Sequence, residues 1–266
     1  MILAEINFGP GSPDDKNGSE ELAQSYLAAL SHSGHFCGEC LLAWIKGSLT
    51  CHVMIAGVGA AQKKHLSKWG RSELRKLNKA WGREPAWTLL GDHPKKASPS
   101  WKAPSLFLFT HAFDTAPPVC RGDTKEPVPT FLLPLSDKEK DNLGGWQHDY
   151  VLYDRLWLGS GPMEMAAYKQ LAEPRSALSI RGRNLCGAIE QATGKPTFYF
   201  LHRYFARKVG EETRCCPSCG GSWRTSEPAG APFLQFAFRC EPCRLVSNVG
   251  CHEHNRRAKI GDFQAC

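Results

Sequence analysis

Four cysteines late in the chain, Cys216, Cys219, Cys240 and Cys243, form two C-x2-C pairs separated by twenty residues. If the two pairs share one ion they must converge, and that folds the intervening chain back on itself regardless of its hydrophobic pattern. Thiolates at this spacing predict one tetrahedral site holding a single structural Zn2+. Pro217 follows the first cysteine, and Gly220 and Gly221 follow the second, where backbone amides must turn tightly towards the sulfurs. Four thiolates close the coordination shell, whereas catalytic zinc keeps one position open and favours His and carboxylate ligands. The expectation is therefore a zinc ribbon with a structural ion. Cys215 adjoins Cys216, but only Cys216 gives the two-residue gap to Cys219.

Phe233 to Arg239 alternates bulky with small or polar residues, as a strand with one covered face would. Trp223, Leu245 and Val246 add the remaining apolar contacts. So small a module has little core, and metal binding is expected to supply much of its folding free energy.

The chain carries twelve cysteines, and the eight outside this array are scattered without regular spacing. That usage suits a reducing compartment, hence a cytoplasmic protein. Cys37-x2-Cys40, preceded by His32 and His35, has no second half nearby and reads as structural. Cys251, His252 and His254 lack a matching ligand pair and read as an exposed polar tail. His111 and Asp114 follow a strand end, but no nucleophile accompanies them. With no phosphate-cradling glycine loop or nucleophile elbow, the chain reads as non-enzymatic. No apolar run approaches the roughly 18 residues of a membrane span, and the first ten residues read as a strand and not as a signal peptide.

At 266 residues and 42% apolar content, two or three folded units are expected in an α+β chain. Residues 1–92 alternate strand, helix, strand, strand, helix, strand, the order of a ferredoxin-like αβ sandwich. In detail, Ile2 to Phe8 predicts a strand, Gly9 to Gly18 a turn, and Ser19 to Gly34 a helix. Strands follow at about Cys40 to Lys46 and Leu49 to Gly57, then a helix from Gln62 to Trp81 and a short strand at Trp87 to Leu90. Residues 93–104 read as a linker. Residues 105–208 form a mixed αβ, mainly helical region, with strands at Ser105 to Thr110, Thr130 to Leu135 and Thr197 to Phe205. Its helices are Asp137 to Leu158, Met163 to Leu171 and Ser176 to Thr193. Residues 212–250 form the zinc ribbon, with a tail at 251–266.

The net charge is +7, and the segment from Gln62 to Arg83 alone carries +7. At about 100° per residue, Lys64, Lys68, Arg71, Arg75 and Lys79 fall on one stripe, opposite Leu66, Trp69, Leu74, Leu77 and Trp81. A helix packed by its apolar face would present a row of cations able to neutralise phosphates along a nucleic acid. Around the cysteines, Arg224, Arg239 and Arg244 extend the candidate contact set. Trp223, Phe233, Phe236 and Phe238 would either stack on bases or fill a core.

Several stretches resemble a bacterial family of zinc-ribbon-containing proteins with a suggested nucleic-acid-binding role. They are Cys120-Arg-Gly-Asp with Val128-Pro-Thr-Phe-Leu-Leu-Pro, Trp146-Gln-His-Asp-Tyr, Leu178-Ser-Ile-Arg-Gly-Arg-Asn-Leu-Cys, and Gly194-Lys-Pro-Thr-Phe-Tyr-Phe-Leu-His-Arg-Tyr. The series ends with Cys216-Pro-Ser-Cys-Gly-Gly and Phe238-Arg-Cys-Glu-Pro-Cys-Arg-Leu-Val-Ser-Asn. The family pattern places a second cysteine after the position of Cys120, where this chain has Asp123 or its neighbours. Two readings of function follow. Either the protein binds nucleic acid through the basic helix and the ribbon, or the ribbon docks a protein partner or staples the C-terminal region.

Overall fold

The computed structural model describes residues 1–10, 16–225 and 236–263. Half of the turn expected at Gly9 to Gly18 and the first part of the strand expected at Phe233 to Arg239 lie outside them, as do the last three residues. The chain is α+β and divides into two compact units. The first comprises Met1–Lys102, Thr115–Val119 and Glu126–Gly144, and the second Ala103–Asp114, Cys120–Lys125 and Gly145–Cys266. No helix among the described residues is long and apolar enough to cross a membrane.

In the first unit, β1 (Ile2–Gly9) alternates strictly: Ala4, Ile6 and Phe8 are buried while Leu3, Glu5 and Asn7 face outwards. α1 (Lys16–His32) buries Ala23, Tyr26, Leu27 and Leu30, which recur every three or four residues. β2 (Leu41–Ile45) and β3 (Ser48–Ile55) form a hairpin. α2 (Lys68–Trp81) leads into β4 (Ala86–Asp92). The sheet order is β2-β3-β1-β4 with every pairing antiparallel. One apolar cluster joins the inward residues of β1 and β3 to those of α1 and α2.

The first unit also buries His35, whose ring stacks on Phe131 at 4.9 Å with Nδ1 2.9 Å from the Ala60 carbonyl oxygen. Burial lowers its pKa to about 4.

Two expectations in this unit need correction. The second helix begins at Lys68 and not at Gln62; Val58–Ala61 and Lys63–His65 form short 3-10 turns instead. Ser67 sets the start, because its hydroxyl accepts from Gly70 N at 3.0 Å as an N-cap. Thr130–Leu132 is likewise a 3-10 turn where a strand was expected. Pro129 and Pro134 flank it and cannot donate to a ladder.

The second unit is built on a five-stranded sheet. Its strands are β5 (Leu106–Leu108), β6 (Val119–Arg121), β7 (Thr197–Leu201), β9 (Phe238–Cys240) and β10 (Leu245–Ser247), in the order β6-β5-β7-β10-β9. β7 runs parallel to both β5 and β10, and β10 is antiparallel to β9. All five residues of β7 are buried, so both its faces are covered, as is usual for a parallel strand. On one face Phe198 and Phe200 pack with Phe107, Cys120, Phe236 and Val246. On the other, Tyr199 meets Trp146 of α3 (Asp137–Leu158) edge to face.

α5 (Ala177–Thr193) lies against β7 and approaches it at Gly182. A Cβ there would sit 2.2 Å from the Tyr199 ring and 2.9 Å from Trp146 Nε1. α4 (Glu164–Ala172) buries Tyr168, which closes a cluster with Phe205 of β8 (Phe205–Ala206). β8 pairs in parallel with β11 (His252–Glu253). α3 is continuous through Gly144-Gly145, and Gly145 leaves room for the Arg181 guanidinium, which would lie 2.7 Å from a Cβ there.

Candidate metal centre and basic helix face

The Sγ atoms of Cys216, Cys219, Cys240 and Cys243 all lie within 4.8 Å of one another. Cys219 Sγ is 3.7 Å from Cys240 Sγ, far beyond the ~2.05 Å of a disulfide. These are four separate thiols able to share one metal ion, and Cys215 is outside the group. Among the described residues they form the one set of three or more His, Cys, Asp or Glu side chains gathered closely enough to do so.

Two turns and one hairpin create the arrangement. In the first turn Cys216 N donates to Gly221 O and Gly220 N to Cys216 O, both at 2.8 Å. Gly220 adopts φ +75, and a Cβ there would lie 2.8 Å from the Phe263 ring. The second turn repeats the geometry: Arg244, the residue after Cys243, adopts φ 51. Between the turns, the arm at Trp223 to Thr225 pairs with β9, through Arg239 N to Trp223 O at 2.7 Å and Thr225 N to Ala237 O at 2.9 Å.

The thiols are not equivalent. The Gly221 N–H beside Cys219 lowers its pKa to about 7. Burial pushes Cys216 up to about 11, and Cys240 upward as well. Cys219 thus ionises more readily than Cys216 or Cys240, and a bound cation would draw off the remaining protons.

The arginines around this centre are all engaged. Arg224 pairs with Glu212 at 2.8 Å and lies 5.2 Å over Phe238. Arg239 pairs with Glu241 at 2.7 Å and covers Phe198 at 4.4 Å. Arg244 bridges Glu190 at 2.7 Å and Glu241 at 3.0 Å. Trp223, Phe236 and Phe238 are buried, so these rings fill a core and do not offer a stacking platform for bases. Phe233 lies outside the described residues.

A second polar centre escaped the sequence. Arg203 is 2% exposed, yet its guanidinium meets Glu211 at 2.8 and 3.0 Å, the carbonyl oxygens of Ala258 and Ile260 at 2.8 and 2.9 Å, and Asp262 at 3.2 Å. Buried charge is tolerated only when paired and hydrogen-bonded in this way. The available signal was an arginine inside the aromatic run Phe198-Tyr-Phe-Leu-His-Arg-Tyr, a place where an unpaired charge could not stay.

In the first unit, Lys68, Arg71, Arg75 and Lys79 lie on α2, and Lys64 sits in the 3-10 turn before it. All five are exposed, while Gly70, Leu74 and Leu77 are buried on the opposite side. The four helical cations span about 16.5 Å of axis at 1.5 Å per residue. Elsewhere in the segment Lys63 pairs with Glu84 at 2.5 Å and Lys76 with the buried Glu73 at 2.8 Å. Among the described residues no side chain of the five stripe cations pairs with a carboxylate, although the Lys68 backbone N–H donates to Asp137 Oδ2 at 3.2 Å. Arg71 instead donates to the Leu66 carbonyl oxygen at 2.5 Å.

Cys40 hydrogen-bonds Cys51, which lowers the Cys40 thiol to about 7 and raises that of the buried Cys51. His252 stacks on Tyr204 at 5.6 Å and His254 abuts Phe205 at 5.7 Å, so these rings pack beside β8. His111 Nε2 lies 3.8 Å from Asp114, above a buried Asp154 that accepts from Ala112 N at 2.6 Å. Cys120 is buried among the phenylalanines of the sheet.

A family model described as Domain of unknown function (DUF2310) matches residues 98–202, and another, Domain of unknown function (DUF8594), matches residues 206–253. Two relatives from Haemophilus influenzae each carry the description "Uncharacterized protein". One is 33% identical over 157 residues, which is 58% of this chain and 58% of the relative. The other is 32% identical over 157 residues, 58% of this chain and 74% of the relative. The chain thus spans less than two thirds of the first relative and about three quarters of the second. No solved structure matches the chain. With a relative of that identity matched over about three quarters of its length, and a family model matching residues 98–202, the chain belongs to the bacterial DUF2310 family.

Proposed function

We propose that this protein is a non-enzymatic, cytoplasmic zinc-ribbon protein that binds nucleic acid through the exposed cations of α2. The observation that carries this reading is the row Lys64, Lys68, Arg71, Arg75 and Lys79, exposed and without carboxylate partners among the described residues while neighbouring lysines are paired. Long side chains left unpaired on one helix face keep their charge available for phosphates. Fluorescence anisotropy with a labelled oligonucleotide tests it: five phosphate contacts predict a log–log salt slope near −4.5 on duplex or −3.5 on single strands. No signal at low salt would remove the reading.

The first unit is read as a ferredoxin-like sandwich, supported by the β2-β3-β1-β4 antiparallel order. The cysteine cluster is read as a zinc ribbon with one structural Zn2+. Tetrahedral Zn–S bonds of ~2.3 Å place ligand sulfurs ~3.8 Å apart, and the Cys219–Cys240 separation of 3.7 Å supports that metal. Metal analysis before and after Cys219→Ser should show loss of about one equivalent. A metal-free parent protein would sink the assignment.

A second reading makes the ribbon a structural staple or a docking module for a protein partner. It is favoured by the parallel pairing of β10 with β7, by the contact of Phe263 with Gly220, and by the tethered Arg224, Arg239 and Arg244. The two readings coexist if the ribbon shapes the second unit while α2 carries the binding. Capture of a protein partner that survives nuclease treatment would favour docking.

A further inference from the structure

A pocket of about 420 Å³ in the second unit is lined by Arg207, Lys208, Val209, Asn255, Lys259 and Asp262. That volume lies within the range of small-ligand sites and is too large for a bare oxyanion. Three of its six lining residues are cations, and its one acid is already committed. Asp262 pairs with Arg207 at 2.9 Å on one oxygen and with the buried Arg203 at 3.2 Å on the other. This clamp also fixes the Arg207 guanidinium, which removes part of the ordering cost of holding an anion.

Lys208 and Lys259 are exposed and have no carboxylate partner among the described residues. Asn255 accepts from Lys208 N at 3.0 Å through its Oδ1, which leaves its amide N–H groups as donors for a guest. Val209, 84% exposed, adds an apolar surface on the rim.

From these features we infer that the pocket binds the terminal phosphate monoester of a nucleotide. Arg207, Lys208 and Lys259 against Asp262 leave a charge of +2, which matches a monoester dianion and exceeds the single charge of a phosphodiester. The remaining volume and Val209 suit the attached nucleoside. The site is independent of α2 and does not rest on the reading proposed for that helix. Its ligand has two sources, a free mononucleotide or the 5′-phosphorylated end of a nucleic acid.

Calorimetry on the full chain tests this with AMP, adenosine and inorganic phosphate, followed by competition with 5′-phosphorylated and 5′-hydroxyl oligonucleotides. AMP should bind at least 10-fold more tightly than adenosine or inorganic phosphate. The exposed double variant Lys208→Gln/Lys259→Gln should weaken AMP by 10-fold or more, whereas Lys208→Arg/Lys259→Arg should retain it. Neutralising Lys64, Lys68, Arg75 and Lys79 should leave AMP binding unchanged, which separates this site from α2. Displacement of AMP by the 5′-phosphorylated oligonucleotide alone supports a nucleic-acid end; AMP binding without such displacement supports a free nucleotide. Absence of AMP binding at low salt, equal binding of adenosine or inorganic phosphate, or an unaffected glutamine double variant would overturn the inference.

Discussion

The arginines beside the cysteine cluster and the cations of α2 carry the same charge in opposite circumstances. Arg224, Arg239 and Arg244 each meet a carboxylate within 3.0 Å and lie over an aromatic ring. Lys64, Lys68, Arg75 and Lys79 stand exposed with no such partner among the described residues. A guanidinium held over a ring and tied to a carboxylate serves packing. An ammonium with no carboxylate pair of its own remains available to a polyanion. Charge counted along the sequence cannot separate the two, because the difference lies in what each cation touches.

The largest expected effect tests that contrast directly. Changing Lys64, Lys68, Arg75 and Lys79 to Gln should weaken nucleic-acid binding about a thousandfold at 0.1 M salt and flatten the salt slope by roughly 3 to 4. The urea unfolding midpoint should not move. An unchanged slope would break the comparison. Next in size, Arg203→Ala strips Glu211 and Asp262 of one buried partner, leaving Glu211 with Arg214 at 3.4 Å and Asp262 with Arg207 at 2.9 Å, and should cost about 3 kcal/mol in urea unfolding. The salt slope should stay as it was.

A pH experiment separates binding from folding in a third way. The buried His35 supplies one such pH dependence. Its pKa in the fold is about 4, below the 6.5 of the unfolded chain, so its contribution is complete above about pH 6.5 and is lost as pH falls towards 4. His35 should contribute roughly 3 kcal/mol of the stability lost over that interval, and the buried His202, also lowered to about 4, a comparable share, so His35→Gln should remove about half of this limb of the unfolding curve. The smallest effect belongs to the tethered arginines. Arg239→Gln should cost about 0.5–1 kcal/mol of stability with no change in salt slope. A slope reduced by about one would move Arg239 into the contact face.

The local half of this fold was legible and the long-range half was not. The strand at Ile2 to Phe8, the helix at Ser176 to Thr193 and the paired C-x2-C turns all rest on signals within a few residues, so pattern reading finds them. α2 was drawn six residues too long because lysines hid the N-cap at Ser67, and β6 was missed because three residues among prolines carry almost no period. The cysteine cluster could be anticipated because chemistry forces four thiols together. The burial of Phe236 could not, since it depends on Phe107 and Phe198 arriving from distant segments.

The pairing of β10 with β7 also sets a timetable for synthesis. Thr197–Leu201 leaves the ribosome with β5 already made, but its other edge must wait until Leu245, forty-four residues after Leu201. During that interval an aromatic strand, Thr-Phe-Tyr-Phe-Leu, has one row of backbone groups unpaired, the condition under which nascent chains associate wrongly. The same segment that closes this edge carries the second cysteine pair. Completion of the sheet and convergence of the four thiols therefore fall at the same moment of translation.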